Sequence, residues 1–438
     1  MSGGHDRRAV IVAGYLALAL TLGGGGSPNP WSELAVQLGG AAFAVWWLAS
    51  GEGGVWREAP VELRCLAMLV VAVPLLHLVP VPPGVWQALS GRELARGSLA
   101  LVGADDTWRP LSVAPHLTLA SLVATIPPVV LMLAAARLDR QGVRLCLMVV
   151  AGAALVSALL GAGQLASGGG LRLYAETHRD WITGVFANRN AAVDLFLIGS
   201  LAATACAIGA AEPRRWWPAV AVVQIVLLLA AVLTGSRAGI LLIVIVAAVQ
   251  LVLRRPAVLA GKRLLIAAAA GLAAAAGAAI LLETARLAAV RARFGEAPGF
   301  RVELWRDAWS AAQGFFPAGS GVGTFTRAFA PFERLEVLDA TVPNRAHNDY
   351  LELLIEIGAL APLLLAAAAV LLVHLWRRRR GAWEHRLFAA GTLLILALHS
   401  LVDYPLRTMA LASLAALATG MLASPGYQRQ RPNSDGSR

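Results

Sequence analysis

The sequence predicts an all-α integral membrane protein of about twelve transmembrane helices, interrupted near its C-terminal third by one large extramembrane loop. Three observations carry that reading. Of 438 residues, 58% are hydrophobic and 14% are charged, with a mean hydropathy of +0.66; soluble domains carry about a quarter charged residues. The apolar residues fall in runs close to the ~20 residues that a bilayer core requires of a helix. Between the runs stand short clusters of arginine, the sequence mark of orientation in a membrane.

Runs bounded by charge, Gly or Pro lie near 9–22, 34–49, 62–80, 116–136, 143–166, 190–211, 216–234, 237–253, 263–282, 350–375, 387–403 and 407–423. The first follows Arg7 and Arg8 as a signal peptide would, but has no small-x-small cleavage site, and it reads as an uncleaved span. With Arg7 and Arg8 in the cytoplasm and the chain alternating, every basic cluster falls on the same side. These clusters are Arg57 with Arg64; Arg137, Arg140 and Arg144; Arg214 and Arg215; Arg254, Arg255, Lys262 and Arg263; Arg377 to Arg380; and Arg429 with Arg431. That agreement supports an even number of spans. The chain then divides into nine N-terminal helices (1–283), a large outer loop with short helices (284–349), three C-terminal helices (350–423) and a polar cytoplasmic tail (424–438).

The net charge of +11 does not point to nucleic acid, because the arginines form no continuous basic face. Cys65, Cys146 and Cys206 lie inside apolar runs and read as small buried hydrophobes. No outer cluster of His and carboxylates has metal-site spacing, so neither a metal nor a cofactor is expected.

Four polar constellations fall on the outer side. Thr234-Gly235-Ser236-Arg237-Ala238-Gly239 joins two apolar runs. A Gly-Ser backbone at a helix start beside a guanidinium suits a phosphate, although a snorkelling interfacial arginine would look the same. Arg301 to Trp309 reads as a helix that places Arg301, Trp305, Ala308 and Trp309 on one face and Arg306 on another; its tryptophans also suit the headgroup level. Arg345-Ala346-His347-Asn348-Asp349-Tyr350 precedes the tenth run, where His347 is either a packed polar residue or a general base. Gly184-Val185-Phe186-Ala187-Asn188-Arg189-Asn190 opens the sixth run and reads as a turn with a helix cap. Outside these, His77, His116 and Asp194 read as structural or interfacial, and Asp403 with Arg407 as a local ion pair beside the helix-breaking Pro405.

In this order the four constellations resemble the O-antigen ligase and polymerase family of bacterial inner-membrane proteins. The matching pieces are the Gly-x-Phe-x-Asn-x-Asn turn at 184–190, Gly235-Ser236-Arg237, Arg301 with Trp305, Pro317 and the glycines up to Phe325, and His347-Asn348 with Gly358 beyond. The similarity covers roughly 180–375. Arg189 stands where the family turn usually has proline, and Ala361 where Gly, Thr or Tyr is common.

The resemblance implies transfer of a glycan from an undecaprenyl-diphosphate carrier to an acceptor hydroxyl, at an active site facing the periplasm. Arg237 and Arg301 would hold the diphosphate, with Arg306 and Arg345 in reserve, Asn188, Asn190 and Asn348 beside the substrate, and His347 as the base. Lipid A core, another glycan or protein are all open as acceptor. Among the outer histidines His116, His178, His347 and His399, only His347 pairs a helix start with adjacent polar groups. A transporter or flippase is the rival from another class, since about twelve spans suits it too; but its charges should lie mid-membrane, and here they lie at helix ends.

Overall fold

The computed structural model describes residues 3–26, 30–50, 55–174, 180–254, 288–290, 292, 299–337, 342–378 and 382–424. The expected ninth span, 263–282, and His178 lie outside the described residues. The fold is almost wholly helical. Its long N-terminal helices are α1 (Gly3–Leu22), α2 (Pro30–Ala49), α4 (Val61–Leu78), α7 (Pro115–Ala135), α8 (Arg140–Ala166), α9 (Arg189–Ile208), α10 (Pro213–Leu233) and α11 (Arg237–Arg254). Short helices α3 (Val55–Glu58), α5 (Pro83–Trp86) and α6 (Glu93–Ala100) lie among them, with a two-residue ladder pairing Pro80–Val81 to Arg109–Pro110. The C-terminal part holds α12 (Gly299–Phe315), α13 (Phe325–Phe329), α14 (Asp349–Ile357), α15 (Leu360–Arg378), α16 (Trp383–His399) and α17 (Met409–Ala423).

Among the described residues six helices are long and apolar enough to cross a membrane: Val61–Leu78, Pro115–Ala135, Arg140–Ala166, Arg189–Ile208, Pro213–Leu233 and Leu360–Arg377. Arg237–Leu253 and Met409–Ala423 are apolar but shorter. Their starts follow ordinary capping chemistry. Proline occupies the first turn of α7 and α10, and Asp139 caps α8 by accepting from Gly142 N at 2.7 Å.

Helix α9 is the axis of the bundle, with 89% of its apolar window buried against 11% for α15. Since α9 is covered on all sides, its N-terminal residues are fixed by protein neighbours. At the other end of the bundle, Arg137 pairs with Glu58, and Arg140 Nη2 lies 2.8 Å from Glu384 Oε1.

The expected single span at 350–375 is two helices. Gly358, with φ 56 and ψ −131, separates α14 from α15 in a conformation open only to glycine. A Cβ there would lie 2.1 Å from the Pro317 carbonyl oxygen, which also accepts from Ala359 N at 2.9 Å. The expected span 387–403 likewise stops at His399, leaving 400–408 as a loop with a 3-10 turn at Pro405–Arg407.

The segment after residue 299 builds a second small core of its own. Leu304, Ala308, Phe315, Phe325, Phe329, Ala346 and Ile355 pack together, joining α12 and α13 to α14. The Gly-rich turn 319–323 is held from the N-terminal half: His77 lies 3.2 Å from the Ala318 carbonyl, Val113 N donates to Ser320 O at 2.8 Å, and buried Arg92 donates to Gly319 O at 3.0 Å.

Candidate active site

The first turn of α9, the 400–408 loop, α12 and the strand of chain before α14 converge on one carboxylate, Asp403. Its side chain is 3% exposed. Asn190, in the first turn of α9, donates to Oδ2. Arg301 from α12 places Nη2 3.3 Å from the same oxygen, and Tyr404 N donates to Oδ1 at 2.9 Å. His347 Nδ1 lies 3.4 Å from Oδ1, a close contact without good hydrogen-bond geometry. Burial alone would push the Asp403 carboxyl up, but the His347 ring and the charges of His399 and Arg301 hold it well below the usual carboxylate range.

His347 is held in an uncommon backbone conformation. Its φ of 49 is the only positive one at a non-glycine among the described residues. The left-handed region costs about 1 kcal/mol or more for such a residue, so neighbours must fix it. On one side Trp305 Nε1 donates to Ala346 O at 2.9 Å, and Ala346 N donates to the buried Glu352 at 3.0 Å. On the other, Asn348 caps α14 by accepting from Leu351 N at 3.0 Å, and Asp349 N donates to Ser400 O at 2.9 Å. The ring meets Tyr404 edge-on at 4.9 Å between centroids. Its side chain stays 24% exposed although Nδ1 is buried, so the exposure lies on the rest of the ring.

Arg407 does not pair with Asp403, contrary to the expectation from the sequence. It turns to α14, where its Nη2 lies 2.9 Å from Glu356 and 3.4 Å from Glu352, and its Nε 3.5 Å from Asp349. The break at Pro405 between them sends the two side chains to different partners. Glu352 also binds Arg345 Nη1 at 2.9 Å, and Glu356 Oε1 accepts from Gly323 N at 2.8 Å. This buried network fastens the His347 loop, the Gly-rich turn and the 400–408 loop to one short helix. Burial pushes the Asp349 carboxyl up to about 6 against the pull of Arg407.

The 234–239 turn is built as a helix start. Thr234 Oγ1 accepts from Ser236 N at 3.2 Å, and Ser236 Oγ accepts from Gly239 N at 3.2 Å. Gly235, with φ 62, lies against the Trp181 ring, where a Cβ would come within 2.3 Å; the other partner of Trp181 is the Arg189 guanidinium, at 4.9 Å. Gly239 seats against Val193 of α9. Arg237, first residue of α11, is thereby carried to the end of α9 that bears Asn188 and Asn190. Asn188 caps that helix, accepting from Asn190 N at 2.8 Å, and its side chain bonds Tyr404.

Of the residues singled out in the sequence, Arg301, His347 and Asn190 meet at Asp403, with Asn188 and Asn348 as flanking caps. Arg345 is bound to Glu352. Arg306 faces elsewhere: it is 62% exposed and lies 3.1 Å from Glu303, which the Arg334 hydrogen bond holds below its usual pKa. Arg301 finds its acid partner 102 residues away in sequence. Asp403, Tyr404 and Glu352 were missed as site residues. Among the described residues no group of three or more His, Cys, Asp or Glu could hold a metal ion.

The arrangement pairs an imidazole 24% exposed, backed by a carboxylate, with a guanidinium 31% exposed on the same carboxylate. No curated protein matches the chain. Residues 222–366 match a family model described as O-antigen ligase, a stretch that contains Arg237, Arg301 and His347 but neither Asp403 nor Asn190. Over that stretch, the chain is similar to the O-antigen ligase family.

Proposed function

We propose that this chain is a multi-pass glycosyltransferase of the bacterial inner membrane, moving a glycan from an undecaprenyl-diphosphate carrier to the hydroxyl of a lipid A core at the periplasmic face. The carrying observation is the meeting of Arg301 and His347 on Asp403. In the proposed step the acceptor hydroxyl gives its proton to the exposed nitrogen of His347 as its oxygen attacks the anomeric carbon. The bond from that carbon to the diphosphate breaks, and the leaving phosphate takes the electron pair. Arg301 and Arg237 stabilise the charge that builds there, without a metal. Asp403 orients the ring and balances the imidazolium that forms, as the buried acid of a Ser-His-Asp site does. Undecaprenyl diphosphate and the glycosylated acceptor leave, and His347 returns its proton to water.

Polymerisation of repeat units and transfer to protein use the same chemistry with another acceptor. The test is glycan transfer by purified protein in proteoliposomes holding the lipid-linked donor and lipid A core, with surface-glycan analysis of a deletion strain. Uncapped lipid A core supports ligation; single repeats or unglycosylated protein would move the reading to a polymerase or a protein glycosyltransferase. Movement of the donor across vesicles without transfer would replace the enzyme by a transporter.

A further inference from the structure

Beneath the site lies a second acid–base pair that the proposed chemistry does not touch. Asp194 Oδ1 and His399 Nδ1 are 2.7 Å apart, their side chains 0% and 1% exposed. Asp194 stands four residues after Asn190 on α9, so the two share a helix face one turn apart. His399 stands four residues before Asp403, whose N–H donates to the His399 carbonyl at 2.9 Å, so these also lie one turn apart. Asn190–Asp403 and Asp194–His399 are therefore successive rungs between the same two stretches of chain. The upper rung carries the site, and the lower one is sealed in protein.

A charge buried without a partner costs several kcal/mol, so the composition of the lower rung has to balance. The groups facing His399 are Asp194 from α9, Asp403 from the following loop and, beyond it, Arg301 from α12. Helix α17, packed on the other side, brings no ionisable side chain, and α11 has arginines only at its two ends, Arg237 and Arg254. Two carboxylates thus bear on one imidazole and one guanidinium, with His347 contacting Asp403 from above. A neutral His399 would leave Asp403 and Asp194 sharing Arg301.

We propose that His399, gripped by Asp194, is a buried positioning residue of the transfer site: as an imidazolium it locks α9 to α16 and keeps Asp403 ionised. The arrangement rests on the transferase reading for its consequence, but not for its charge state. That state is measured in the wild-type protein in nanodiscs with ¹⁵N-labelled histidines, the His399 signals being assigned by their loss in His399→Gln. A doubly protonated His399 ring at pH 7.5 is expected, and a neutral ring overturns the proposal whatever the activity. In transfer assays His399→Gln and Asp194→Asn should each show a loss that deepens as pH falls, because Asp403 without the cation below it takes up a proton more easily. A well-inserted variant with the wild-type pH profile would reduce the rung to packing. Should either variant fail to insert, the other supplies the profile and the labelled wild type still decides the charge. If the wild type transfers no glycan at all, the function falls while the spectroscopic result stands.

Discussion

At the scale of the residue, the site is a competition for one carboxylate. Asp403 has two oxygens and at least four neighbours on them, Asn190, Arg301, Tyr404 N and His347. Replacing it by Asn keeps the size but removes the charge that orients His347 and holds Arg301. Asp403→Asn should lose ~10²-fold or more of transfer, the loss expected when an orienting acid is neutralised, with the protein still inserted. His347→Gln should transfer little while still binding lipid-linked donor, since an amide hydrogen-bonds but takes no proton; near-normal transfer by this variant would remove the base. For Arg301→Ala the expected loss is ~10²-fold or more, with poor rescue by Lys, which lacks the planar fork. An unimpaired Arg301→Ala beside an impaired Arg306→Ala would shift the phosphate contact to the exposed face. The sequence made His347 and Arg301 legible because each sits in a motif of unusual residue types. Asp403 was not, since the side chains that meet on it, Asn190, Arg301 and His347, lie 56 residues and more away in sequence and only the bundle brings them close. Its signal was a lone acid at the end of an apolar run, which is a cue for function in membranes.

Elements are positioned here by breaks in otherwise regular helices. Helix α14 exists as a separate piece because Gly358 ends it against Pro317, and that end aims the Glu352 and Glu356 carboxylates at Arg345 and Arg407. Gly358→Ala should lower thermal stability by several kcal/mol, adding a clash to a glycine-only conformation, and transfer should fall with it; an unchanged melting temperature would mean that the hinge tolerates a side chain. Apolar periodicity could not reveal this break, because 350–375 reads as one continuous run and a single glycine inside a span is ordinary. The same helix offers a pH test. Asp349 takes up its proton near pH 6 in the folded protein, against about 3.9 for an unfolded aspartate. Its charging therefore costs stability as pH rises through that window, and acidification from pH 7 to 5 returns it. Asp349→Asn cannot titrate, so the wild type should gain thermal stability relative to it on going from pH 7 to 5. A constant difference between the two would place the Asp349 proton elsewhere.

For the whole molecule the informative quantity is which end of the bundle a charge occupies. Arginine clusters between apolar runs assign ends by the positive-inside rule, and that arithmetic needs only the number of crossings, which is why the membrane class was legible while the contacts were not. The fold sorts its ion pairs to match. Helix α16 carries Glu384, paired with Arg140, near its start and His399 at its finish. Those two residues are separated by about 23 Å of helix at 1.5 Å per residue, most of the ~30 Å of a hydrocarbon core. Arg137 and Arg140 belong to an expected cytoplasmic cluster, so the Asp403 site at the far end of α16 should face the periplasm, where a flipped polyprenyl donor displays its glycan. Single cysteines introduced at Glu333, in the segment packed around α12, and at Gly381, in the last basic turn, are expected to react with an impermeant thiol reagent from opposite sides. Glu333 should label in intact spheroplasts, and Gly381 only after permeabilisation. Both labelling from one side would mean an even number of crossings between them. Glu333 accessible only from the cytoplasm would separate the site from its proposed donor and end the glycan-transfer reading at once.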